Sequence, residues 1–140
     1  MRKFALLSVS DKTNLIDLAQ GLVAKDYTII ATGNTAKKLS SSGIKVTEIS
    51  ELTGYPEIFD GRVKTLHPKI TGGILMRQSN NNDIKEAVEN SIEPIDIVCV
   101  NLYPFKKATE NPDATEEYVI ENNDIGGPSL DRAAAKNHKY

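Results

Sequence analysis

Apolar residues in the first half of the chain alternate between strand-like runs and helical spacing. Lys3 to Val9 is nearly all apolar and predicts a buried strand. The turn Ser10-Asp11-Lys12 follows, with Ser10 or Asp11 suited to the N-cap of a helix. Leu15, Leu18, Ala19, Leu22 and Val23 then recur at helical spacing. Tyr27 to Ala31 is a second β-rich run and Thr32-Gly33-Asn34 a tight loop. A short helix from Thr35 to about Ser42 should stop at Gly43, where a left-handed residue suits a helix end. Val46 to Ile49 predicts a third strand. The order β-α-β-α-β implies a parallel, doubly wound sheet, hence an α/β fold.

The second half is less regular. Ser50 to Lys69 is rich in turn residues and weak in periodicity, and a long irregular segment in a compact domain is often functional. Gly73 to Met76 reads as a short strand and Asn82 to Asn90 as a polar helix. Ile95 to Val100, apolar except for Asp96, predicts a central strand. Thr115-Glu116-Glu117 opens a helix to about Asn122. Gly126-Gly127-Pro128 opens the last one, with Pro128 at its first position. No internal repeat, low-complexity tract or linker interrupts the chain.

At 140 residues the length is that of one domain. A net charge of -2 lacks the basic footprint of nucleic-acid binding. No stretch approaches the roughly 20 apolar residues that span a bilayer. Met1-Arg2-Lys3-Phe4-Ala5-Leu6-Leu7 breaks too soon at Ser8 and Asp11 for a signal peptide. Cys99 is the sole cysteine, in an apolar run, and reads as a buried inert thiol in a cytoplasmic protein. His67 and His138 lie far apart without thiolates nearby, so no metal site is expected.

Ligands of open parallel sheets bind beyond the carboxyl ends of the strands. Three segments should meet there: Ser10-Asp11-Lys12-Thr13, Thr32-Gly33-Asn34-Thr35 and Asn101-Leu102-Tyr103. The first two are strand-to-helix turns whose free N–H groups suit a phosphate, although such residues also serve as plain caps. Asp60 to Lys69 carries three basic residues, Arg62, Lys64 and Lys69, and His67 in one loop. Val63 and Leu66 are placed to anchor it while Arg62 and Lys64 are presented to an anion; the bland alternative is a solvated loop. His67 reads as structural, held by a hydrogen bond. Asp124-Ile125-Gly126-Gly127-Pro128 sets a carboxylate before two glycines that permit close approach of backbone to a ligand, or a plain helix entry. Tyr103 and Lys136, taken locally, are a packing tyrosine and a solvated lysine.

Together, Ser8-Val9-Ser10-Asp11-Lys12-Thr13, the Asp60-to-Lys69 loop, Asn101-Leu102-Tyr103-Pro104-Phe105, Asp124-Ile125-Gly126-Gly127-Pro128 and Ala133-Ala134-Ala135-Lys136-Asn137-His138 resemble the IMP cyclohydrolase family. That domain is the N-terminal part of the bifunctional AICAR transformylase/IMP cyclohydrolases. The resemblance runs along essentially the whole chain, and Gly61-Arg62-Val63-Lys64-Thr65-Leu66-His67-Pro68 is its most specific block. It implies a methylglyoxal-synthase-like three-layer sandwich with a mainly parallel central sheet. It implies closure of FAICAR (5-formamidoimidazole-4-carboxamide ribotide) to IMP with loss of water and without cofactor, and suggests a homodimer. Catalytic roles carry over to Lys64, Tyr103, Asp124 and Lys136. Nucleotide contacts carry over to Ser10, Asp11, Lys12, Thr32, Gly33, Asn34, Thr35 and Arg62, mainly near the phosphate. Val63, Thr65, Asn101, Ile125, Gly126 and Gly127 complete the expected site, with Thr65, Asn101 and Gly126 around the base.

Some positions depart from the family pattern. Asn34 replaces the second glycine of its T-G-G-T turn, Asn14 another glycine, and Thr71 a frequent histidine. Asp131 stands where the family is apolar, and burying it would be costly. The family's domain continues with at least one more strand and a large transformylase domain. Residues 1–140 therefore read as a C-terminally truncated cyclohydrolase domain without transformylase activity. Two rivals share the fold: methylglyoxal synthase, which lacks the Gly61–Pro68 block, and a regulatory module that binds nucleotide without turnover.

Overall fold

The computed structural model describes residues 2–140. The chain folds as β1 (Lys3–Val9), α1 (Leu15–Val23), β2 (Tyr27–Ala31), α2 (Gly33–Ser41), β3 (Val46–Glu48) and α3 (Ile49–Thr53). After an irregular loop come α4 (Pro68–Leu75), α5 (Asn81–Glu89), β4 (Ile97–Asn101), α6 (Phe105–Glu110), α7 (Glu116–Glu121) and α8 (Gly126–Lys136). The four strands form an all-parallel sheet in the order β3-β2-β1-β4.

Side-chain alternation on β1 and β2 divides the core in two. Ala5, Leu7, Ile29 and Ala31 face one side, where Leu15, Ala19 and Leu22 of α1 and Ala36 and Leu39 of α2 cover them. Phe4, Leu6 and Ile30 face the other, against Ile49, Ile70 and Ile74 of α3 and α4 and Leu130 and Ala133 of α8. Helices on both faces make a three-layer α/β/α sandwich, as the fold class predicts.

Several local expectations are corrected. Gly73 to Met76 is helix, not strand. His67 caps α4 by accepting Lys69 N–H on Nδ1 at 3.1 Å, Pro68 takes a first-turn position, and Ile70 and Ile74 point inward four residues apart. A short apolar run cannot by itself separate strand from buried helix. β4 lies at an edge of the sheet, so its side chains, Cys99 among them, are only partly buried. α1 is capped by neither Ser10 nor Asp11; Asn14 holds that place in a left-handed conformation, which asparagine tolerates. α2 begins at Gly33 and not at Thr35, with Thr32 as N-cap. α8 begins at Gly126, two residues ahead of Pro128. α6, after Pro104, was not expected at all. Asp131 lies on the exposed side of α8, so no burial cost arises there.

The connection from α4 to α5 is clasped by an ion pair. Arg77 donates from Nε and a terminal nitrogen to the two oxygens of Asp83, at 2.8 and 2.7 Å, and its backbone N–H adds a third bond at 2.8 Å. These bonds, led by that of the guanidinium, hold the Asp83 carboxyl down at about 2. A carboxyl lowered on folding stabilises the native state above its unfolded value, near 4, and that contribution fades as pH falls toward 2. Arg77→Ala should return the Asp83 titration to the ordinary carboxylate range, as read by NMR.

Candidate active site

The carboxyl ends of β1, β2 and β4 border a cleft of about 400 Å³. Thr32 and Ser10 follow β2 and β1 and Asn101 ends β4, so they stand in that order along the sheet edge. Two strand spacings, about 10 Å, separate the first from the last. The 58–66 loop and the start of α8 close the remaining sides.

The two strand-to-helix turns differ. In the first, Asn101 Oδ1 accepts the N–H groups of Ser10 and Asp11 at 2.6 and 3.0 Å, and its amide donates to Asp11 O at 2.8 Å. Asp11 turns its carboxylate to the hydroxyl and N–H of Thr13, at 2.7 and 2.9 Å, bonds that lower its pKa. Lys12 folds back, its ammonium donating to Val9 O and Ser10 O at 2.9 and 3.1 Å. This turn is stapled shut, and the N–H groups of Ser10, Asp11 and Thr13 are already spent.

The second turn is open. Thr35 donates its hydroxyl to Val9 O at 3.1 Å and accepts Val9 N–H at 3.3 Å, tying α2 to β1. The first helical bond runs from Ala36 N to Thr32 O at 3.4 Å. The preceding N–H groups of Gly33, Asn34 and Thr35 have no acceptor among the described residues. A helix N-terminus with free donors suits an anion. Gly33 carries the positive φ, +55°, and Asn34 does not, so asparagine at 34 adds no backbone strain.

The basic loop is held rigidly. Ile58 and Val63 exchange backbone bonds of 3.2 and 3.3 Å around three left-handed residues, Phe59, Asp60 and Gly61. Arg62 and Lys64 line the cleft on either side of Val63, which does not. Leu66 is not the expected anchor, being 45% exposed; Thr65, 4% exposed, and Ile70 fix the loop instead. The Thr65 hydroxyl packs on Gly126, where a Cβ would come within 2.7 Å. The Lys64 ammonium reaches back over the α2 turn, 3.7 Å from the Cβ position of Gly33.

At the β4 end, Asp124 joins two elements. Its Oδ1 accepts Gly127 N–H at 2.8 Å, capping α8 from two residues before the helix, and its Oδ2 accepts Tyr103 N–H at 3.2 Å. The link to Tyr103 therefore runs through its backbone; the phenol hydroxyl has no partner among the described residues. Asp124→Asn keeps one acceptor but turns an amide donor toward an N–H. It should lower turnover by about 10²-fold, as expected for a displaced acid–base group. Unchanged kcat with a folded chain would remove Asp124 from the chemistry.

Of the residues expected at the site, Ser10, Lys12, Thr32, Asn34, Thr35, Arg62, Lys64, Thr65, Asn101, Tyr103, Asp124, Ile125, Gly126 and Gly127 line the cleft. Asp11, Gly33 and Val63 support its walls without lining it. Lys136 is exposed in the last turn of α8, about 15 Å along the axis from the cleft, and does not line it. Ser8, Val9, Asp60, Gly61 and Leu66, from segments the sequence singled out, also line the cleft, and Ile120, Glu121 and Asn123 line it unforeseen. On the sequence, Ile120 and Glu121 are ordinary residues of an amphipathic helix, and nothing there marks them. No group of residues suited to holding a metal occurs among the described residues.

A parallel α/β/α sandwich with its cleft on the carboxyl edge of the sheet is the architecture of MGS-like domains among other doubly wound folds. Residues 14–129 match that family's model, and the chain belongs to it. Among its relatives is the bifunctional purine biosynthesis protein PurH of Lactobacillus acidophilus, 56% identical over 137 residues, 98% of this chain and 27% of that protein. PurH of Bacillus cereus is 53% identical over 140 residues, again covering 27% of the relative. The crystal structure of ForH superimposes with a TM-score of 0.83 at 39% identity, over 99% of this chain and 70% of that one. The chain thus spans about a quarter of the length of the curated relatives it matches. No helix is long and apolar enough to cross a membrane among the described residues.

Proposed function

We propose that this chain catalyses the dehydrative ring closure of FAICAR to IMP, the last step of de novo purine synthesis, in the cytoplasm. One observation carries the reading: an open helix N-terminus beneath Lys64 and the Asp124–Tyr103 pair share one cleft, about 10 Å apart. That separation leaves room for a ribose between a phosphate and a reacting ring. The match to PurH, named for purine biosynthesis, agrees with it.

The chemistry asks for little more than these groups. The nucleophile is a carboxamide nitrogen, which is weak until it loses a proton, and Asp124 is the base placed to take it. The nitrogen attacks the formyl carbon, a C–N bond forms, and the formyl oxygen gains the charge. The Lys64 ammonium stabilises that oxygen, a contribution of about 3–4 kcal/mol for such donors. The free Tyr103 hydroxyl protonates that oxygen, the proton held by Asp124 then converts the resulting hydroxyl to departing water, and the formamide N–H proton returns to Tyr103 as the C=N bond of the ring forms. Within one chain Lys136 has no part in this scheme. No metal or cofactor enters it, and the activity needs no transformylase residues.

The test is an absorbance assay of FAICAR conversion by the purified chain, without added cofactor. Enzyme-dependent IMP formation supports the reading. IMP binding without turnover would mark a nucleotide-binding module instead.

A further inference from the structure

Both cations of the 58–66 loop stand beside carboxylates that ring closure does not use. At one end Glu121 Oε1 of α7 lies 3.5 Å from Arg62 Nε, and both residues line the cleft. At the other, Glu57 Oε2 accepts the hydroxyl of Thr32, the N-cap residue of α2, at 3.3 Å. Glu57 Oε1 packs so closely on Gly61 that a Cβ there would sit 2.5 Å from it; the Lys64 ammonium lies 3.8 Å from that same point. A carboxylate therefore sits on the N-cap of the open helix turn, next to Lys64, where an anionic ligand would go.

We propose that Glu57 and Glu121 are resident anions: they neutralise the anion end and mouth of the empty cleft, and the ligand's phosphate takes their place. This rests on reading the cleft as a phosphate-ester site. The contacts suit exchange. Glu57 is exposed and held through one long hydrogen bond, and the Arg62–Glu121 pair is more than half exposed on both sides. Exposed pairs of this kind are weak, and a dianion outcompetes a single carboxylate for the same cations. The device selects for a phosphate monoester against the neutral nucleoside, which has no charge with which to displace either glutamate.

The test is calorimetric titration of the full chain with inorganic phosphate and with IMP at fixed ionic strength. Glu57→Gln and Glu121→Gln each preserve shape and acceptor while removing the charge. Each should tighten phosphate binding roughly 2–5-fold, and together about tenfold. Glu89→Gln, on α5 and away from the cleft, should change nothing. Unchanged or weaker binding in the first two variants overturns the proposal, as does equal tightening in Glu89→Gln. Should a variant fail to fold, the wild-type Arg62 Nε–Hε resonance decides: it should move and saturate with added phosphate, and a static signal overturns the exchange. A wild-type chain that binds neither phosphate nor IMP overturns the phosphate-ester reading and this proposal together. One that binds IMP, with the variants unchanged, overturns this proposal alone.

Discussion

Replacing Lys64 by alanine is expected to reduce FAICAR turnover by about 10³-fold, the loss seen when one oxyanion donor is removed. The fold should survive. The Lys64 ammonium makes no ion pair among the described residues, and Lys64 belongs to neither core cluster. The kinetic form of the loss matters, because the ammonium stands over the α2 turn and not at the β4 end. If its flexible stem delivers the charge to the formyl oxygen, kcat falls and KM changes little. If it only holds the phosphate, KM rises and kcat survives. The second pattern would remove Lys64 from the chemistry and leave it a phosphate ligand.

The largest effect on stability is expected at Gly73, where Gly73→Ala should cost about 2 kcal/mol, within the range for overpacked cores. At this chain length that lowers Tm by about 7 °C. Helix propensity alone predicts the opposite sign, since alanine is the better helix former by about 1 kcal/mol. Packing wins here because the new Cβ would meet the Glu93 carbonyl oxygen at 2.5 Å and Ile95 at 3.1 and 3.2 Å. The carbonyl is backbone and cannot rotate away, and Ile95 N–H is bonded to Gly73 O at 2.9 Å, so the two segments are tied at that point. Two controls separate packing from propensity. Gly72→Ala meets only the mobile end of Ile92, at 3.0 Å, and should be close to neutral. Gly21→Ala, with nothing within 4 Å, should stabilise α1 by up to about 1 kcal/mol. Thermal melts of the three variants check the ordering; a Gly73→Ala variant as stable as the parent would refute the contact.

The cleft was more legible than some of the elements that build it. Ser10, Lys12, Thr32, Asn101 and Tyr103 could be placed on one sheet edge because parallel α/β topology sends every strand-to-helix turn to the same side, whereas Arg62, Lys64 and Asp124 were joined to that edge only through the family resemblance. The strands β1 and β2 were legible residue for residue, since alternation and apolar runs act within a few residues. Helix starts were less so. Asn14, Gly33 and Gly126 open helices through backbone geometry that composition does not announce.

What the sequence by itself determined was local and topological: the β-α-β order, the parallel sheet, the apolar faces and the set of chemically capable residues. The tertiary structure alone decided which of those residues are free to act. Asn101, 90 residues along the chain from Asp11, closes the Ser10–Asp11 turn, leaving the α2 turn as the open anion end. Glu121 meets Arg62, and Glu57 the N-cap threonine of α2, only because a loop and α7 converge on the same cleft. The physical reason is that hydrogen bonds and charges act over a few ångströms in space, whatever their separation along the chain. A pattern of periodicities carries no information about which donors are already satisfied.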